Sequence, residues 1–368
     1  MLLALVMVIV AVLGGYVMTS LILLKYPNLI HNRKKLKFKC RHISHRGGAG
    51  ENYENTMTAF KRAVALGTDM LELDCQITKD SKVVVSHDQN LLRSTGVDCN
   101  ISQLNYCDLP LLKPELPVDF DPGHTFVGSG KEEERRIVLL EEVFQMFPNV
   151  PINVDIKIDD ENLMKEVERL IVQYNREEYT VWGNFSDKVT KKLYSMNPRV
   201  NLLFSMKQVL LLVLLLYTGL LPFVPIKETH LEIFLPAIYL RLIRKRINNT
   251  SYLPLHTFFV RSMDLLLMRR ILFNHLEKRG IQKLIKEIHH QKQTEGCRGR
   301  RSADGDNPLT PNRAPLYLAN PRSFKEEGHP EKVYCVCKRS DTRYMCVKCN
   351  VPLCLNFCFK RYHTLKYY

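Results

Sequence analysis

The sequence predicts an α/β fold assembled from repeated strand and helix units. Two observations carry that prediction. Apolar runs of strand length at residues 70–77 and 83–85 follow a segment in which Met57, Ala59, Phe60, Ala63, Val64 and Leu66 recur at helical spacing, with Gly67 as a stop. The alternation then resumes with strands at 152–158, 179–182 and 200–204, and with helices at 163–174 and 188–196 between them, a spacing that argues for βα units. A chain of 368 residues can bury one large domain and carry a small appendage.

Taken in order, the first element is apolar. Residues 2–24 contain no charged side chain, and their length is enough to cross a bilayer as a helix. The competing reading is a cleaved signal peptide, but no basic residue precedes the apolar run and no small-x-small cleavage site follows it. A membrane anchor is therefore expected at 1–24. Lys25, Arg33, Lys34, Lys35, Lys37, Lys39 and Arg41 come next, and the positive-inside rule places the part that follows on the cytosolic side. The same cluster would attract anionic lipid headgroups.

Residues 45–88 hold the densest set of reactive side chains. An apolar lead-in ends at His45-Arg46-Gly47-Gly48, where glycines permit the close backbone approach that a phosphate needs. Glu72 and Asp74 stand two apart on one predicted strand and leave it by the same face. His87-Asp88 ends the next apolar run. Paired carboxylates suit a hard cation such as Mg²⁺ or Ca²⁺, imidazoles can exchange protons with attacking and leaving oxygens, and Arg46 can meet a phosphate bidentately. Each residue alone has a bland reading as a solvated or structural side chain. Together they point to metal-assisted phosphodiester hydrolysis.

Residues 90–142 are rich in proline and poor in periodicity, and they read as a surface loop, His124 included. Asp155 and Lys157, two apart on a later strand, share a face. Residues 209–225 form a second uncharged stretch, broken by Gly219 and two prolines. Basic residues on both sides of it, Lys207 among those before and Arg241 among those after, disfavour a single crossing. The expectation is an apolar insertion over 209–240 that dips into the bilayer beside the mouth of the site, with a buried helix as the alternative.

The motifs HRG at 45–47, ENT at 54–56, ELD at 72–74, HD at 87–88 and DIK at 155–157 resemble, in that order, those of the glycerophosphodiester phosphodiesterase family, and most closely its membrane-attached eukaryotic branch. The resemblance spans about 38–282 and implies a TIM (β/α)8-type barrel with its site at the C-terminal ends of the strands. It implies that His45 and His87 are the acid/base pair, that Glu72, Asp74 and Asp155 hold the metal, and that Arg46 and Lys157 meet the phosphate. Many relatives carry Glu where Asp155 stands. The substrates it implies are glycerophosphodiesters and lysophospholipids, cleaved in lysophospholipase D fashion at a membrane of the endoplasmic reticulum or perinuclear region.

The resemblance ends near Gln282. Relatives continue with a further strand, a helix and a last strand, whereas residues 283–331 here are basic, polar and rich in Gly and Pro, which reads as a disordered linker. The barrel is expected to lack its last βα units. Cys335, Cys337, Cys346, Cys349, Cys354, Cys358 and His363 then supply seven ligands at short spacing, more than one tetrahedral Zn²⁺ needs. Such clustering indicates metal rather than disulfides and a reducing compartment. Residues 333–364 resemble the C-terminal zinc domain of piggyBac-type transposases, which implies a transposon-derived zinc ribbon. The region from Arg269 onward holds 21 Lys/Arg against 9 Asp/Glu, so +12 of the chain's net +15 belongs to it. Nucleic acid is a possible partner for such a tail, although basic linkers are more often merely solvated.

Two functions of different class follow. One is a membrane-bound, metal-dependent phosphodiesterase acting on lysophospholipids or glycerophosphodiesters. The alternative is an inactive truncated barrel that serves as a membrane-tethered zinc or nucleic-acid binding module.

Overall fold

A computed structural model describes residues 1–121, 123–234, 240 and 253–286, together with the backbone of 344–346 and 351–353. The chain divides into two units, one of residues 1–64 and 68–290 and one of 65–67 and 291–368.

The first unit begins with α1 (Leu2–Lys25), a helix of 24 residues long and apolar enough to cross a membrane. Behind it lies a TIM-barrel-like α/β fold. Its wall starts with the short β1 (Ile43–Ser44), followed by α2 (Met57–Ala65) and β2 (Met70–Ile77). The antiparallel β3 (Val83–Val85) hangs off β2. After α3 (Leu92–Thr95), the strands β4 (Glu115–Pro117) and β5 (Thr125–Val127) form a separate antiparallel hairpin within the region read as a plain loop. Next come α4 (Leu140–Met146), β6 (Ile152–Ile156), α5 (Glu161–Gln173), β7 (Thr180–Gly183), α6 (Asp187–Met196), β8 (Asn201–Leu202) and α7 (Met206–Tyr217). The last part of this unit holds β9 (His230–Phe234), α8 (Leu253–Leu267), α9 (Arg270–Lys278) and β10 (Gln282–Lys286). Strands β1, β2, β6, β7 and β8 run parallel in that order, and β9 continues the wall through a parallel bridge from Leu203 to His230.

Alternation along each strand separates two layers. Leu71, Leu73, Cys75, Ile152, Val154, Ile156, Trp182 and Leu202 belong to the core between the sheet and helices α2, α4, α5 and α6. Each fully buried side chain of this kind contributes about 1.5–3 kcal/mol of transfer free energy. The intervening residues of β2 and β6, Glu72, Asp74, Asn153 and Asp155, take the opposite face, because successive strand side chains alternate. Helix α5 starts where its sequence says it should: Asp160 accepts a hydrogen bond from the Leu163 backbone N–H at 2.8 Å.

Two expectations change at the C-terminal side of the barrel. The apolar stretch 209–240 is not one insertion, because its first part is α7, which buries Val209, Leu212 and Val213 in a second core, and a later part is the barrel strand β9. The reason is periodic: residues 209, 212 and 213 share one helical face, so half of an all-apolar run is taken up by packing. Nor does the strand pattern stop at Gln282. Residues 282–286, all but the first inside the predicted linker, form β10, paired in parallel with all five residues of β9. The run KLIK lacks a continuous apolar stretch, yet its Leu284 reaches the inner core of Cys40, Met70, Val181 and Leu203. Beside β1 the described residues show no backbone ladder from β10. Instead the Gln282 side chain donates to the Phe38 carbonyl and accepts from the Cys40 N–H, both at 2.6 Å.

In the second unit, β11 (Tyr344–Cys346) and β12 (Val351–Leu353) form an antiparallel pair, Cys346 opposite Val351. Cys335, Cys337, Cys349, Cys354, Cys358 and His363 lie outside the described residues, as does the side chain of Cys346, and so does the greater part of the linker.

Candidate functional site

The first motif builds a strained turn. Arg46 adopts a left-handed conformation (φ 49°), and Gly47 and Gly48 follow with φ 73° and 99°. At Gly47 a Cβ would come within 2.8 Å of the Phe60 ring and 2.9 Å of the Ala59 Cβ, so no other residue fits against α2. The turn is held by the site itself: the Arg46 N–H donates to Glu72 Oε2 at 2.7 Å, and the Asn55 N–H donates to the Arg46 carbonyl at 2.9 Å. A non-glycine residue in this region costs of order 1–3 kcal/mol and persists where its surroundings enforce it.

Parallel pairing of β2 with β6 sets Asp74 opposite Asp155 and Glu72 opposite Asn153. Glu72 and Asp74 are 1 % and 0 % exposed, which for carboxylates requires partners. Lys157 Nζ lies 2.8 Å from Asp74 Oδ1 and 2.6 Å from Asp155 Oδ2. Arg46 Nε lies 3.2 Å from Asp74 Oδ2, to which Asn55 Nδ2 also donates at 2.8 Å. Burial works to raise the Asp74 pKa, but Lys157 and Arg46, and then the two imidazoles, outweigh it and hold the carboxyl well below the usual range. Asp155 goes the other way: burial and the neighbouring Asp74 charge push it up despite Lys157. Lys157 is held charged, its carboxylate neighbours exceeding the desolvation that opposes them.

His45 Nε2 stands 3.8 Å from Glu72 Oε1, and its ring tilts against Phe120 at 5.4 Å. His87 Nδ1 is 2.8 Å from Asp88 Oδ1, an arrangement that orients the ring. All seven residues singled out in the motifs, His45, Arg46, Glu72, Asp74, His87, Asp155 and Lys157, thus stand in one network, His87 being joined to it through Asp119 at 3.8 Å.

Several members of that network carry no role in the sequence reading. Asp119, on the β4–β5 hairpin loop, accepts from both terminal nitrogens of the Arg46 guanidinium, at 2.9 and 3.3 Å. Glu54 accepts from Arg46 at 3.1 Å and pairs with Arg93, which also pairs with Asp88. Glu54 and Asn55 were legible as members of the ENT motif. Asp119 was not, because it sits in a proline-rich loop without periodicity, where only the hairpin brings it to the site. Further along, Asn153 Nδ2 donates to Glu232 Oε2 at 2.9 Å and so ties β6 to β9 across the barrel interior.

Among the described residues no three His, Cys, Asp or Glu side chains are gathered tightly enough to enclose a metal as they stand. Lys157 occupies the space between Asp74 and Asp155. The donor set still fits a hard divalent cation: it consists of carboxylates alone on adjacent strands in register, and Cys75, the nearest thiol in sequence, belongs to the opposite face and is held neutral by burial.

The sequence profile of the glycerophosphoryl diester phosphodiesterase family matches residues 45–225. The lysophospholipase D GDPD1 of Homo sapiens is 52 % identical over 281 residues, covering 76 % of this chain and 87 % of that protein. The human lysophospholipase D GDPD3 is 41 % identical over 275 residues, covering 73 % of this chain and 82 % of that protein. Among solved structures, a glycerophosphodiester phosphodiesterase from Agrobacterium tumefaciens is similar, with TM-score 0.45 and 18 % identity over 66 % of this chain and 85 % of that one.

Proposed function

The chain belongs to the glycerophosphoryl diester phosphodiesterase family, and from that membership we propose that it is a membrane-bound, metal-dependent hydrolase of lysophospholipase D type. The substrate is a lysophospholipid or a glycerophosphodiester. Water adds to phosphorus, the P–O bond to the headgroup alcohol breaks, and the phosphate stays with the glycerol-containing product. The observation that carries this reading is the in-register Asp74–Asp155 pair with Lys157 and Arg46 converging on Asp74.

Glu72, Asp74 and Asp155 would hold Mg²⁺ or Ca²⁺, which polarises the phosphoryl oxygens when bound. Lys157 would meet the phosphate oxygens as a point charge, and Arg46 would meet them with the terminal nitrogens that Asp119 and Glu54 hold here. His45 and His87 move the two protons, one leaving the attacking oxygen and one reaching the headgroup alcohol. Asp88 holds His87 by its Nδ1, which leaves Nε2 for the proton transfer. Helix α1 anchors the enzyme at an intracellular membrane, the endoplasmic reticulum or perinuclear envelope, and the basic run from Lys25 to Arg41 keeps the barrel cytosolic.

The test is release of choline or ethanolamine from lysophospholipid by the purified chain, with EDTA and after restoring Mg²⁺ or Ca²⁺. Release that EDTA abolishes and either cation restores is the expected result. Release indifferent to EDTA would refute the metal assignment, and no release under any condition would refute the substrate class.

A further inference from the structure

Helix α1 does not simply leave the barrel. Tyr16 Oη donates to the Thr218 carbonyl at 2.5 Å, Ser20 Oγ donates to the Gly219 carbonyl at 2.7 Å, and the Tyr16 ring stacks on Phe223 at 6.2 Å. Gly219 (φ 74°) permits this approach, since a Cβ there would meet Ser20 Oγ at 3.0 Å and Tyr16 Oη at 3.1 Å. Leu24 is buried in the same core as α7 and α9. The last third of α1 is therefore docked along the end of α7.

That docking fixes a depth. Ahead of Tyr16, residues 2–15 give a helix of only about 21 Å at about 1.5 Å per residue, short of the roughly 30 Å hydrocarbon layer. Spanning requires the segment from Tyr16 to Leu24 as well, and it carries the end of α7 with it. The outer surface there is suited to the same environment. Leu210 and Leu214 on α7 are 45 % and 60 % exposed, and Leu255, Phe258 and Phe259 on α8 are 61–72 % exposed. The two helices meet at Tyr217, whose hydroxyl donates to the Leu266 carbonyl at 3.2 Å and accepts from Arg269 at 3.0 Å. Exposed Lys207, Arg261 and Arg269 stand at the borders of this face, where phospholipid phosphates lie.

We propose that the outer faces of α7 and α8 form a second, monotopic membrane contact, seated in the leaflet into which the C-terminal part of α1 enters. The inference rests on α1 lying in a bilayer, as proposed above, but not on any catalytic assignment. Its occupant is the phospholipid acyl layer, because the face is continuous with the anchor and broader than a single helix groove. An enzyme seated this way holds its barrel against the surface that stores a lysophospholipid.

The full chain is reconstituted in phosphatidylcholine vesicles whose acyl chains are brominated or plain, and tryptophan fluorescence is compared. Trp182, fully buried, supplies a constant background in every variant. Leu214→Trp and Phe258→Trp are set beside Val12→Trp in α1 and Val172→Trp on the exposed surface of α5. The expected result is that the brominated lipid removes a comparable fraction of the added fluorescence at residues 12, 214 and 258, and none at 172. Quenching at 12 without quenching at 214 and 258 would overturn the proposal. So would an unquenched but blue-shifted Leu214→Trp whose emission depends on protein concentration, since the face would then cover a second copy of the chain. No quenching even at 12 would remove the premise that α1 lies in the bilayer, and the proposal with it, while leaving headgroup release as a separate question.

Discussion

The barrel has two walls of different make. Along β2, β6 and β7 the strands are joined by backbone ladders four or five residues long and backed by a continuous apolar shell. From β8 to β9 there is a single described bridge, and between β10 and β1 one glutamine side chain stands in for a ladder. Glu72, Asp74, Asp155 and Lys157 stand on or just beyond strands of the first wall, and His45 and Arg46 are bonded to it. The chemistry is mounted where ladders follow one another unbroken from strand to strand; β9 and β10 pair with each other over five residues, but join the rest of the wall through the bridge and the glutamine and supply none of those groups. Preorganised sites need rigid support, since small displacements of charged groups cost large factors in rate.

The largest expected effect separates the walls by function. Asp74→Asn should lower headgroup release by about a thousand-fold or more, as removal of one charge-stabilising group commonly does. Its melting temperature should fall by several degrees as well, because Asn55 and Lys157 bond different oxygens of Asp74 and the amide has only one to offer them, so turnover is compared per folded molecule. Turnover within tenfold of the unaltered chain would break the assignment of the first wall.

Acid should act chiefly on the second wall. Burial depresses His230 to about 3 and His275 to about 4. A histidine held neutral contributes fully above the unfolded value near 6.5; as pH falls below that, the unfolded chain takes up the proton first and stability drops. The loss is up to about 1.4 kcal/mol per pH unit for each group, from about pH 6.5 down to the folded values. Melting temperatures recorded between pH 7 and 4.5 should therefore fall steeply, and His275→Gln should flatten the slope. An unchanged slope in that variant would count against a neutral buried His275.

Removing the bridge is the next test. Gln282→Ala deletes two hydrogen bonds at the seam and should cost about 1–3 kcal/mol. Per folded molecule, headgroup release should stay within a few-fold of the unaltered chain. A thousand-fold loss of turnover without loss of stability would mean that the walls are not separable. The smallest effect belongs to the first wall's own edge: Asp160→Ala removes the cap of α5 and should cost about 1 kcal/mol in urea unfolding, with turnover unchanged.

The difference between the walls also explains what the sequence disclosed. Strands 70–77 and 83–85 and the βα units through Trp182 were legible because the first wall is buried on one face by long apolar runs with clear periods. The seven site residues were legible because their motifs are short and local. Asp119 and Arg93 were not, since a hairpin and a short helix bring them in from segments without pattern. Strand β10 escaped for a different reason: among the described side chains, what seats it at the seam is one inward apolar residue, Leu284, and one polar side chain of the right reach, Gln282. Periodicity cannot register so few contacts. The half-buried helix α7 was ambiguous because leucine fills both its packed and its exposed face.

The glutamine bridge carries a consequence for the order in which the chain acquires its shape. It joins residues 244 positions apart, a separation whose closure entropy is offset only once both ends are already structured. The residues of the first wall and its site lie within 45–183 and can meet while the C-terminal strands are still unpaired. A nascent chain would thus hold a formed charge network before its barrel is shut, and the interval between the two events is when the unpaired edges of β1 and β9 are open to other chains.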